Sequence, residues 1–203
     1  MHIDVAITNV VLLWLLTTPH EFAHAWVATR LGDDTPRLQG RVTLNPMAHV
    51  DWLGTVILPT ITSLFGGGFI GWGRPVNTNP GKLRWGLNGL ALVAMAGPVS
   101  NVIFAVILAG LARATVATAP AFARFAASGV NLSLYLAIFN MLPVPPLDGS
   151  KLLLAARIPP VVYNELARAG FILLVFAVSF SDLGRWMSLW SYQGTAHIFG
   201  LFR

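Results

Sequence analysis

The chain has 203 residues, of which 55% are hydrophobic and 10% charged, and its mean hydropathy is +0.67. Soluble domains carry about 25% charged residues, so composition alone marks an integral membrane protein. The formal net charge of +5 comes from basic residues scattered singly. Without an aromatic-interleaved basic patch, no nucleic-acid partner is expected, and anchoring at lipid headgroups accounts for the charge. The absence of cysteine excludes disulfides, thiolate zinc sites and a cysteine nucleophile.

The first apolar stretch, residues 4–28, exceeds the ~20 residues that a membrane helix needs. Its second half contains His20-Glu21-Phe22-Ala23-His24. Two histidines four apart on a helix share a face, where both imidazoles reach one metal ion. Glu21 projects about 100° around the helix from His20, placed to take a proton from a metal-activated water. Three ionisable groups in five residues at membrane depth are costly, and a zinc site supplies the reason for them. The plainer reading is a buried polar network packing one helix on another. Pro19 deprives the Leu15 carbonyl of its usual partner, so a kink or an entry for water is expected there. The amino terminus lacks a basic n-region and a small-residue cleavage site, so no cleavable signal is expected.

Residues 29–51 change character: Gly32, Pro36, Gly40 and Pro46 punctuate, while residues 37–39 and 41–44 alternate polar and apolar. That alternation predicts short strands. Residues 52–65 are apolar again, interrupted by Pro59 and ended by Gly66-Gly67-Gly68, and a glycine-rich segment reaches Val76. Residues 87–112 form the cleanest span. A shorter apolar run, 130–142, extended at its front by 121–127, ends in Asn140-Met141-Leu142-Pro143-Val144-Pro145-Pro146-Leu147-Asp148-Gly149. A further span covers 167–180. The aromatic-rich, amphipathic stretch 183–202 is expected to lie in the interface.

Catalytic zinc normally takes three protein ligands and keeps one position open. Asp4, Asp51, Asp148, Glu165, Asp182, His49 and His197 are the candidates near apolar segments for the third. Asp148 is preferred, because Pro143, Pro145 and Pro146 break the helix just before it. Interrupted backbone at membrane depth is tolerated where it lines an enclosed cavity.

Taken with Gly40-Arg41-Val42-Thr43-Leu44-Asn45-Pro46, Gly71-Trp72-Gly73-Arg74-Pro75-Val76 and Ala96-Gly97-Pro98 with Asn101, these two motifs resemble the site-2 protease family of intramembrane zinc metalloproteases. The resemblance covers roughly residues 8–155. Ala23 and Ser150 depart from the glycines often found at those positions, and no PDZ-like or CBS-like module is evident. The resemblance implies Zn2+ held by His20, His24 and Asp148, Glu21 as general base, and cleavage of a transmembrane segment of another protein. It further implies substrate contacts from Asn140 and Asn101, and from Arg41, Val42, Thr43, Leu44 and Asn45 as a membrane-dipping β-loop that takes the substrate as an added strand. The expected partners are that transmembrane substrate and the bilayer.

Topology adds a constraint. If His20 and Asp148 bind one ion near the carboxyl ends of their helices, those helices are parallel and an odd number of spans separates them. Residues 87–112 supply one, so 52–70 is expected to be a re-entrant or interfacial segment turning near Gly66–Gly68. The expected fold is an all-α polytopic membrane protein with about four to five transmembrane helices, a small β-hairpin region and a re-entrant segment. It forms one domain over 1–203, with a catalytic core at about 5–155 and C-terminal helices at 161–203. Basic residues concentrate in 29–51, 71–85 and 149–160, which puts the site nearer the cytoplasmic face, with the plasma membrane as the expected location. A metal- or proton-linked carrier and an inactive helix-binding scaffold are the alternatives. The first is disfavoured by the lack of paired inverted halves, the second by an intact Glu21.

Overall fold

The computed structural model describes residues 3–64 and 71–202. Eight α-helices occur among them: α1 (Ile3–Arg30), α2 (Thr35–Leu38), α3 (Leu58–Leu64), α4 (Leu87–Thr115), α5 (Pro120–Asn140), α6 (Asp148–Ala155), α7 (Pro160–Phe180) and α8 (Leu183–Gly200). A π-helical turn, Trp52–Ile57, leads directly into α3.

Pro19 lies inside α1 without ending it. Upstream, the hydroxyls of Thr17 and Thr18 both donate to the Trp14 carbonyl, at 3.2 and 2.9 Å. The helix stops at a Schellman turn: Gly32 takes φ +102°, its N–H bonds to Thr29 O, and the Asp33 N–H bonds to Ala28 O. Glycine adopts that left-handed conformation without the Cβ penalty.

Three long helices form the centre. Leu12, Leu13 and Leu16 of α1 pack with Leu136 of α5, against Phe104 and Leu108 of α4. Farther along α1, His24 meets Val93 near the start of α4. α1 and α4 are therefore antiparallel, and α5 returns parallel to α1, so the carboxyl ends of α1 and α5 reach the same side. One long helix, α4, lies between them in the chain, along with the short α2 and α3. α8 closes the outer face, where Ile198, Phe199 and Phe202 cover Ala105, Ala109 and Val130.

α4 and α5 are long and apolar enough to cross a membrane. α7 adds a third span if its arms Pro160–Gly170 and Ile172–Val178, bent by 62°, count as one. This is fewer than the four to five spans expected. α1, at about 1.5 Å per residue, has the length of a span, but its last third carries the polar motif. α6, with eight residues, is too short.

Among the described residues no strand occurs, which corrects the expected β-hairpin. Pro36 at the first turn of α2 suits a helix start, where its missing N–H costs nothing. Gly40 with φ +66° then turns the chain, so Arg37 and Leu38 fall in a helical turn and Arg41–Leu44 in irregular backbone. The segment after Trp52 returns to where it left: the Trp72 N–H bonds to Gly54 O and the Arg74 N–H to His49 O, both at 2.9 Å. The described ends of this excursion therefore meet in the fold. The turn expected at Gly66–Gly68 lies outside the described residues.

Candidate metal centre

His20 and His24 occupy one face of α1, and their rings meet edge-on with centroids 4.6 Å apart. Asp148 opens α6, pressed close by Gly149, where a Cβ would collide with Met141 O. Asp148 Oδ2 lies 3.1 Å from His20 Nε2 and 3.0 Å from His24 Nε2, and the two nitrogens are 3.0 Å apart. All three residues are buried. A tetrahedral ion with ligands at about 2.0–2.1 Å separates them by roughly 3.3 Å, so this triangle fits a zinc-sized ion after a shift of a few tenths of an ångström. Two imidazoles and one carboxylate suit zinc rather than the hard, oxygen-seeking cations.

The outer contacts orient the rings. His24 Nδ1 lies 2.7 Å from Val93 O, which as a pure acceptor fixes the proton on Nδ1 and leaves Nε2 bare for a cation. Gly97 admits this arrangement: a Cβ there would fall on His24 Nε2 and within 2.6 Å of His20 Nε2. Behind His20 lies the Asn101 amide, its nitrogen 3.3 Å from Nδ1 and its Oδ1 buried without a partner. Turning the amide by 180° puts Oδ1 against Nδ1–H and frees Nε2. Amide orientation follows the hydrogen-bond network, so ligation by His20 selects that orientation.

Glu21 faces a cavity of about 440 Å³, and its Oε2 accepts the Val76 N–H at 3.0 Å. The same cavity is lined by the three clustered residues, by Asn140 and by Lys151. Gly71, Gly73 and Pro75 and, from α7, Leu174, Val175 and Val178 complete the lining.

Known proteins share this chain's sequence over most of its length. "Putative zinc metalloprotease YwhC" of Bacillus subtilis is 39% identical over a 193-residue alignment that covers 89% of this chain and 83% of that protein. The chain belongs to the site-2 protease family. "Putative zinc metalloprotease Rip2" of Mycolicibacterium smegmatis is 34% identical over 182 residues, 85% of this chain and 67% of that protein. The counterpart of that name in Mycobacterium tuberculosis is 31% identical over 174 residues. No family model and no solved structure matches the chain.

In this site-2 protease the substrate contacts expected from sequence are only partly gathered at the cavity. Asn140 lines it, its amide nitrogen donating to Leu136 O at 3.0 Å. Asn101, 1% exposed, also lines it and backs His20. Arg41, Val42, Thr43, Leu44 and Asn45 are not among the residues that line the cavity. The Arg41 guanidinium donates to Ala48 O, Thr43 O meets His49 Nε2 at 2.9 Å, and Asn45 caps the turn at Met47 N. Burial lowers the pKa of His49; the hydrogen bond to Thr43 opposes this and Arg41 reinforces it. Burial likewise lowers that of Arg41, aided by nearby Arg74.

Sequence reading did not foresee the cavity wall supplied by Gly71, Trp72, Gly73, Pro75 and Val76, within a stretch held out to Asn79. The N–H groups of Trp72, Arg74 and Val76 reach Gly54 O, His49 O and Glu21 Oε2. Three alternate donors on one side are the period of an extended chain. Its far end is tied by Asp33, fully buried, whose Oδ2 accepts the Asn79 N–H at 2.6 Å and Oδ1 the Thr35 N–H at 3.0 Å. Burial alone would raise the Asp33 pKa, but these hydrogen bonds and Lys82 hold it below the ordinary value. The sequence marked residues 71–76 only as a glycine-rich segment of the family resemblance; the bonds that hold this stretch run to residues far away in sequence.

Proposed function

We propose that this site-2 protease cleaves a transmembrane segment of another membrane protein, within the bilayer, by hydrolysis at the His20–His24–Asp148 centre. The observation that carries the reading is convergence: three donor atoms within 3.1 Å of one another share a cavity with a carboxylate, Glu21, that does not belong to the donor set. A bound zinc ion supplies an acidified water, with a pKa near 7, and polarises a carbonyl. Glu21 then does the proton work. Val76 N–H holds Oε2 and leaves the other oxygen to accept the water's proton and return it to the leaving amine. The Asn140 side chain, at the same cavity, donates toward the oxygen of the attacked carbonyl.

A helical substrate hides its peptide bonds, so it must be held extended. Inward N–H groups at Trp72, Arg74 and Val76 leave the backbone groups of Gly73, Pro75 and Asn77 on the opposite edge. Pairing of an unwound substrate with that edge adds a strand and holds the substrate's peptide bonds out of helical hydrogen bonds. The strand-receiving role thus moves from residues 41–45 to residues 73–77. α1, packed along α4 and bearing the motif in its last third, is the further membrane span, with the site toward the cytoplasmic face of the plasma membrane.

The test is Glu21→Gln in protein reconstituted into vesicles with a peptide that spans the bilayer. Cleavage is expected to fall by at least about 10²-fold, the lower range for loss of a general base, while zinc stoichiometry stays at one per chain. Cleavage at the unaltered rate would defeat the reading; so would purified protein without bound zinc. A carrier, by contrast, would move an ion or proton across sealed vesicles and cut nothing.

A further inference from the structure

The two oxygens of Asp148 have different partners. Oδ2 faces both imidazoles, whereas Oδ1 accepts a hydrogen bond from the Lys151 ammonium at 2.9 Å. Lys151 follows Asp148 by three residues on α6, which puts both side chains on one face of its first turn. The pair is unlike an ordinary surface ion pair, which contributes little. Asp148 is 8% exposed, Lys151 is 31% exposed at its side chain, and Lys151 itself lines the cavity.

We propose that Lys151 is a positioning residue that holds Asp148 to single-oxygen ligation. The inference rests on the metal-centre reading given above. A carboxylate offers two oxygens, and a free one can swing onto the ion and fill the place needed by water or by the scissile carbonyl. A charge-assisted hydrogen bond is about twice as strong as a neutral one, and it occupies Oδ1, leaving Oδ2 to the histidines. The ammonium also draws negative charge from Asp148, so less of it reaches the ion, and a less neutralised ion acidifies its water more strongly. Ligand-orienting partners of this kind typically matter by about 10- to 100-fold in affinity or activity. Arginine would preserve the donor and the charge; methionine or glutamine would remove the charge.

The experiment uses the full chain in detergent, stripped of metal and reloaded with Co2+, whose visible bands report coordination number. For K151M and K151Q, Co2+ stoichiometry is expected to persist, while the bands weaken to those of a higher-coordinate site. For the zinc-loaded variants, kcat on a membrane-spanning peptide is expected to fall about 10- to 100-fold at little-changed KM. K151R is expected to keep the spectrum and most of the rate. A K151M or K151Q spectrum identical to that of the unaltered protein would overturn the inference alone, as would K151R impaired as badly as K151M. Failure of the unaltered chain to take up Co2+ would overturn the metal centre and this inference together.

Discussion

The cavity has two walls built on different principles. The helical wall, formed by α1, α4, α5 and the start of α6, places its chemistry through close packing: Gly97 against two imidazoles, Gly149 against the Met141 carbonyl, and Val93 O beneath His24. The opposite wall, residues 71–79, has no regular structure of its own. It is held by single hydrogen bonds to Gly54, His49, Glu21 and Asp33, spread over 55 residues of sequence at the widest. A packed wall fails when space is lost; a tethered wall fails when a donor or acceptor is lost.

Adding volume to the packed wall should have the largest effect. In Gly97→Val, the new Cβ falls on His24 Nε2, so the nitrogens are forced apart or away from Asp148. Zinc content, measured by elemental analysis of purified protein, is expected to drop from one per chain to near zero, with cleavage abolished and the helix content of the far-ultraviolet spectrum retained. Full zinc occupancy in this variant would show that the ligand triangle tolerates a displaced α4.

On the tethered wall, Val76→Pro removes one N–H and little else, since proline suits extended backbone. Glu21 then loses its fixed oxygen while the ligands are untouched. Cleavage is expected to fall about tenfold or more, with zinc content unchanged, and metal loss would mean that the two walls are mechanically coupled. The same logic explains what was legible beforehand. His20 and His24 were readable because helix geometry is local and fixes i and i+4 on one face. Asp148 was readable because a proline-broken helix end limits where a carboxylate can point, and the one long intervening helix, α4, brings both helix ends to the same side. The wall at 71–79 was not readable, because its partners are distant. Alternation at 37–44 misled, since Pro36 begins a helical turn and Gly40 ends it before a strand can form. Lys151 escaped notice for a different reason: its spacing from Asp148 carries meaning only once Oδ1 is seen to hold the ammonium while Oδ2 meets the histidines.

Asp33 gives a smaller effect on the same wall. Asp33→Asn keeps one accepting oxygen but places an N–H2 where a second acceptor served, leaving the Asn79 or Thr35 N–H unpaired in a buried place. The expected cost is about 1–3 kcal/mol, measured as a lowered thermal midpoint in detergent, together with reduced cleavage as the wall loosens. An unchanged midpoint would mean that the Asn79 tether is replaceable by water.

The mildest effect comes from acidification and separates two groups at the base of this wall. His49 has its pKa lowered by burial. Its Nε2–H donates to Thr43 O, while Nδ1 is buried without an acceptor. A proton added there would create a charge near Arg41 with nothing to receive it. Because the unfolded chain binds that proton more readily, His49 contributes stability above about pH 6.5, the unfolded value, and loses it as pH falls toward the lower folded value. Asp33, also depressed, contributes stability above about pH 3.9, its unfolded value, and loses it on further acidification. Thermal midpoints recorded from pH 7.5 downward are therefore expected to decline in two stages. His49→Gln, whose amide can still donate to Thr43 O, should flatten the upper stage and leave the lower one. If His49→Gln leaves the upper stage intact, the pH-sensitive group lies elsewhere, and the hydrogen bond between His49 O and the Arg74 N–H anchors the wall independently of the imidazole's charge.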